Sequence, residues 1–211
     1  MFKTKAAAAA ALLALAGCSR EGELTSTGVV TTYTACPPVA IAAPTGDITL
    51  FDPPQSRDSS AIDVVATMTN VRSTCDESGE HIVTSATFDV QARRRDRGPA
   101  RDVVVPYYAS VVQGGTSVVT KSVTNLVLRF ADGQDRADAS GQATSRVLRS
   151  AATLPEDIRR QVTRERRPGD ADAAVDPMSD PAVRAAVQRA SFEVLLGFQL
   201  TDEQLRYNAT R

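Results

Sequence analysis

Residues 81–93, HIVTSATFDVQAR, decide how the rest of the chain is read. Ile82, Ala86, Phe88, Val90 and Ala92 fall on one side of an extended chain, and His81, Ser85, Thr87, Asp89, Gln91 and Arg93 on the other. Successive side chains of a strand point to opposite faces, so strict alternation predicts a half-buried antiparallel strand with one face on a core. The preceding run, 62–71, repeats the pattern with Ile62, Val64, Ala66 and Met68 opposite Asp63, Thr67 and Thr69. Asp76-Glu77-Ser78-Gly79 between them has turn chemistry, and the pair reads as a hairpin.

Working outward, short β-prone segments alternate with turn signals. Val39–Ala42 and Asp47–Phe51 are separated by Pro44 and Gly46. Val103–Val112 follows, with Pro106 pointing to a sheet edge or a bulge because it lacks an amide donor. Gly114-Gly115 turns the chain into Ser117–Phe130, whose apolar face changes phase between Val119, Val123 and Leu126, Leu128, Phe130. A bulge near Ser122–Asn125 would reconcile the two phases. Ala143–Leu148 is a weaker strand. This pattern predicts a mainly β protein, an antiparallel β-sandwich of immunoglobulin- or fibronectin-like layout.

The last third predicts C-terminal helices and a late strand. Pro155–Arg166 places acids Glu156 and Asp157 early and arginines late, as the helix dipole favours. Ser179-Asp180-Pro181 opens a second helix with Val183, Val187 and Ala190 on one side. At Ser191 the period switches to two: Phe192, Val194, Leu196, Phe198 and Leu200 alternate with Glu193, Gly197 and Gln199. Thr201 and Gln204 have the spacing of a capping box for a terminal helical turn.

The N-terminus carries a different signal. Lys3 and Lys5 precede an unbroken apolar run, Ala6–Ala16, and then Gly17 and Cys18. A positive start, an apolar stretch of about ten residues and small residues at the cut make a secretory signal, too short to span a bilayer. Leu15-Ala16-Gly17-Cys18 resembles the lipobox of bacterial lipoproteins. That resemblance implies diacylglyceryl modification of the Cys18 sulfur, cleavage before it, and acylation, commonly by palmitate, of the new terminus. Ser19 rather than Asp after the cysteine implies transfer to the outer membrane, facing the periplasm. An ordinary signal peptide with a cysteine near its cut, or a buried apolar helix, is the alternative. The expected organisation is a signal peptide at 1–17, a lipid anchor and flexible tether at 18–35, and a single β-rich domain at 36–211 with its helical part last. The stretch 197–208, GFQLTDEQLRYN, is similar to the endings of uncharacterised alphaproteobacterial lipoproteins, which bring no catalytic residues.

Cleavage leaves 194 residues, removes Lys3 and Lys5, and moves the formal charge from -1 to -3. A mildly acidic product has no global electrostatic reason to bind nucleic acid. Lys121 is then the only lysine; arginine carries the remaining positive charge. Cys36 and Cys75 form an even pair in an exported chain, most economically a disulfide; two buried thiols or a metal pair are the alternatives. One histidine and no Cys-x-x-Cys spacing argue against metal, and no cofactor is expected.

Residues with chemical potential are few. A nucleophile–histidine arrangement would need His81, which sits on a polar face without a nucleophile elbow beside it. Arg93, Arg94, Arg95 and Arg97 form the densest charge run, suited to an anionic contact with phosphate or carboxylate; the plainer reading is a solvated hairpin end. Tyr107 and Tyr108 should divide between core and surface. Asn208-Ala209-Thr210 matches a glycosylation acceptor, discounted for a bacterial lipoprotein. Two functions follow. One is a lipid-anchored envelope protein, held at the membrane, that binds an envelope protein or polymer or assists its assembly or transport without catalysis. The other is a membrane-anchored hydrolase of an envelope polymer, with carboxylates that sequence cannot place. Cys18→Ala should abolish lipid attachment: acyl labelling of the variant is expected to show no incorporated lipid and an unprocessed chain.

Overall fold

The computed structural model describes residues 24–25, 28–29, 34–164, 166, 169–170 and 175–210. The expected signal segment, Cys18 and most of the expected tether lie outside the described residues. Two short strands, β1 (Leu24–Thr25) and β2 (Gly28–Val29), pair with each other, and the body follows. It contains β3 (Val39–Ile41), β4 (Asp47–Phe51), β5 (Ile62–Asp76), β6 (His81–Arg94), β7 (Arg101–Gln113), β8 (Ser117–Phe130) and β9 (Arg136–Leu148). After these come α1 (Arg149–Ala152), α2 (Glu156–Thr163), α3 (Pro181–Ala190), β10 (Phe192–Phe198) and α4 (Asp202–Thr210).

The strands of the body form two four-stranded sheets packed as a sandwich, one in the order β3-β10-β7-β8 and the other β4-β5-β6-β9. Every pairing is antiparallel except β3 with β10, which run parallel. The alternation in 81–93 describes β6 well, and the strand extends it by one residue, Arg94. Ile82, Thr84, Ala86, Phe88, Val90, Ala92 and Arg94 are all buried. β5 and β6 are the expected hairpin; Asp76 accepts a hydrogen bond from the Ser78 amide at its turn, 2.9 Å.

Three expectations need correction. Pro106 lies in the interior strand of its sheet, since β7 is bonded to both β10 and β8. Its carbonyl accepts from the Gln199 amide, 2.8 Å, on the β10 side. In a strand a residue's nitrogen and carbonyl point the same way, so the missing donor faces Gln199, one residue past the last β10 pair, Phe198–Tyr107, where a single bond to the Pro106 carbonyl remains. The irregularity in β8 is at Val119, between the pairs Val111–Thr120 and Val112–Val118, rather than within Ser122–Asn125. Ala143–Leu148 is the end of a thirteen-residue strand, β9. Its inward positions Ala137, Ala139, Gly141 and Ala143 are small, and at Gly141 the reason is Phe88: a Cβ there would overlap the Phe88 ring. Small residues give little hydropathy contrast, which hid the strand.

The late strand lies inside its sheet, between β3 and β7, with Val194, Leu196 and Phe198 essentially inaccessible. α3 begins as the sequence implies: the Asp180 carboxylate caps the Ala182 amide at 2.7 Å, with Pro181 in the first turn. Val183, Ala186 and Ala190 are its buried face. The capping box at α4 is formed in both directions, Thr201 amide to Gln204 Oε1 at 2.9 Å and Gln204 amide to Thr201 Oγ1 at 3.2 Å. Cys36 and Cys75 are bonded and join the segment before β3 to the end of β5, one sheet to the other. Phe198→Ala should lower the unfolding free energy by about 3–5 kcal/mol in chemical denaturation, and removal of residues 191–211 should abolish the cooperative melt.

Candidate functional site

Among the described residues β8 forms one free edge of its sheet, and its two halves differ. Leu126 is half-buried and Leu128 and Phe130 are buried, whereas every residue from Ser117 to Asn125 is exposed. Exposure on both faces is unusual for a strand of this length, because one face of a sandwich strand normally rests on the core. Val118 is 61% exposed, Val119 51% and Val123 53%. Cross-strand partners share a face, so Val104 beside Val127 and Tyr108 beside Val123 continue an apolar band over the outside of the sheet. The opposite side of the same half-strand carries Thr120, Ser122 and Thr124, paired with inward-facing Val111, Ala109 and Tyr107.

Both expected roles of the tyrosines are present. Tyr107 is buried, donates to the Gln142 carbonyl at 2.7 Å and meets Phe88 edge-on at 5.0 Å between ring centroids. Tyr108 is on the outer side, 3.0 Å from Thr45 Oγ1, with the Lys121 ammonium 4.5 Å above its ring.

The arginine run is divided by the strand's alternation. Arg94 does not face solvent, and this corrects its assignment to an anionic contact. It is 2% exposed and donates to four backbone carbonyls, Gln134 at 2.6 Å, Pro99 at 2.7 Å, Gly98 at 2.6 Å and Ala131 at 3.2 Å. Its guanidinium also lies 5.3 Å from the Phe130 ring centroid. Arg93 and Arg97 both approach Asp135, at 3.8 and 3.4 Å. Arg95 reaches Asp96 at 3.4 Å and the Ser60 carbonyl. The residue before the run gave the signal: Ala92 is on the apolar face, so Arg94, two further on, belongs there too.

Other candidates have structural partners. His81 is exposed at the first position of β6. Asn208 is buried and donates to the carbonyls of Pro44 at 3.0 Å and Asp47 at 2.7 Å, fixing α4 to the approach of β4. Asp63 pairs with Arg101 at 2.6 Å, which raises the arginine's pKa. On the outside of the second sheet the Asp89 carboxylate accepts from Asn70 at 2.6 Å and from Ser140 at 2.9 Å. Those bonds favour the ionised form and hold Asp89 below the usual carboxylate range, the Asn70 bond contributing most. Asn70 reaches it because the strand kinks there, with φ 52° and a register shift between Thr69 and Arg72.

Among the described residues no group of three or more His, Cys, Asp or Glu gathers as a metal site, and no helix is long and apolar enough to cross a membrane. The chain enters the sandwich at the end where β8 begins: Thr34, Ala35 and the Cys36–Cys75 pair share a surface groove with Gly115, in the β7–β8 turn. No protein-family model, curated protein or solved structure matches the chain.

Arg94→Leu should cost about 3 kcal/mol of stability, because it strands buried carbonyls, and Arg94→Lys less. Arg93→Ala should stay within roughly 0.5 kcal/mol; urea denaturation of the three variants distinguishes them. In an NMR titration the Asp89 carboxyl should have a midpoint below the ordinary value of about 3.9, and Asn70→Ala should raise it. With a lowered native pKa, the stabilisation is complete above the ordinary value and is lost as pH falls through the native midpoint.

Proposed function

We propose that this is a lipid-anchored protein of the bacterial cell envelope, attached through Cys18, whose sandwich is a noncatalytic module that binds another envelope component or assists its assembly or transport. The observation that carries this reading is the first half of β8. Natural proteins cover, shorten or charge exposed strand edges, since unpaired amides and carbonyls beside apolar side chains invite pairing. Here Ser117–Asn125 combines a free edge, exposed valines and pairing to β7 on its other side. An exposed apolar patch on a rigid scaffold is the physical signature of an interaction site. Its position supports the anchor as well: the half-strand starts at the end of the sandwich where the chain arrives from its N-terminal segment. A partner there would sit close to the lipid surface, at a distance set by the reach of the tether.

Site-resolved photocrosslinking of the native lipoprotein in membranes tests the proposal. A crosslinker at Val119 or Val123 should give a discrete adduct, and one at Thr87, on the outside of the other sheet, should give none. Equal or absent adducts at all three positions would reject a binding role for β8. Release of soluble polymer fragments by the purified protein would favour the hydrolase instead.

A further inference from the structure

Among the described residues β8 and β9 are each one edge of their sheet, and they lie along the same flank. Near the turn that joins them, Leu126, Leu128 and Phe130 close the flank. Further from the turn the strands part around a cavity of about 250 Å³. Ala109, Val111 and Val194 line it with apolar surface; Thr120 and Ser122 of β8 and Ser145 of β9 add hydroxyls. The Ser145 Oγ is buried without a hydrogen-bond partner. Buried hydroxyls normally find partners, so a polar group entering this gap would satisfy a need the fold leaves open.

The outer side of the same half-strand supplies a second observation. Lys121 packs over the Tyr108 ring and meets no carboxylate among the described residues. A lysine in the middle of a free edge opposes pairing with the same edge of another copy in the register that sets lysine against lysine. It favours an acidic side chain in that place.

Resting on the binding role argued above, we propose that Ser117–Asn125 receives an extended segment of a partner protein by β-strand addition. The added strand pairs with the free edge of β8. Its alternate side chains, apolar or hydroxyl-bearing, enter the gap between β8 and β9, and an acidic side chain on the other face sits beside Lys121. Main-chain bonding supplies affinity in such an arrangement, and the alternate side-chain positions supply selectivity.

The test uses the full-length lipoprotein in detergent and two synthetic peptides. In one, threonine and valine alternate with glutamate; in the other, lysine replaces the glutamate. The glutamate peptide should bind and slow hydrogen exchange within residues 117–125. Lys121→Glu should weaken that binding by about fivefold and improve binding of the lysine peptide by a similar factor. Protection elsewhere, or indifference to the charge reversal, overturns the proposal. Concentration-dependent dimerisation that protects the same amides overturns it in favour of a second copy. If neither peptide binds while crosslinking at Val119 still yields its adduct, strand addition fails and the broader binding role stands; if the adduct is also missing, both fail.

Discussion

The guanidinium of Arg94 sits where two connections between the sheets come together. Two of its carbonyl partners, Gly98 and Pro99, lie in the connection from β6 to β7, and two, Ala131 and Gln134, in the connection from β8 to β9. Both connections cross between sheets, in opposite senses. A planar cation with several donors binds such carbonyls together without needing an anion, and the Phe130 ring shields it from water. The buried charge therefore fixes one end of the sandwich, where its desolvation is offset by hydrogen bonds rather than by a salt bridge.

The shape of the remaining molecule follows from that closure. At the pinned end β8 has to lie over the core, and it carries Leu126, Leu128 and Phe130 for the purpose. Away from it, β8 carries Thr120, Ser122 and Thr124 on the inward side, and the extra residue at Val119 further alters its register. Hydroxyls there give little hydrophobic reason to close the flank, and β8 stays attached through β7 alone. The same sequence feature that weakens closure thus leaves an edge available. At the opposite end of the strands, the Cys36–Cys75 bond holds the two sheets by a covalent link.

A strand edge differs from a catalytic cleft in what it asks of a sequence. Catalysis needs particular side chains in contact, and such sets are sometimes recognisable by type and spacing. An edge uses main-chain groups that every residue has, so its composition is nearly silent. In Ser117–Asn125 the readable features are the valines and one lysine, and neither is informative until the neighbours of β8 are known. The arginines drew attention first because charge density is visible in one dimension. Their alternation along β6 gave them separate duties: Arg94 in the interior, Arg93 and Arg97 at Asp135.

The sequence by itself determined the β-rich class, the alternating faces of β5, β6 and β10, the caps of α3 and α4, and the pairing of Cys36 with Cys75. These rest on local rules: a period of two, an oxygen placed to accept from a helix amide, and the two cysteines that the β-rich part of the chain carries. Tertiary structure alone decided the strand order, the parallel neighbour of β10, the small-residue strand β9, and the interior place of Pro106 and Arg94. Each depends on which distant segment lies alongside: Phe88 makes Gly141 necessary, and the end of β10 makes Pro106 tolerable. The open half of β8 belongs to the same group, because an edge exists only by virtue of the strand that is not beside it.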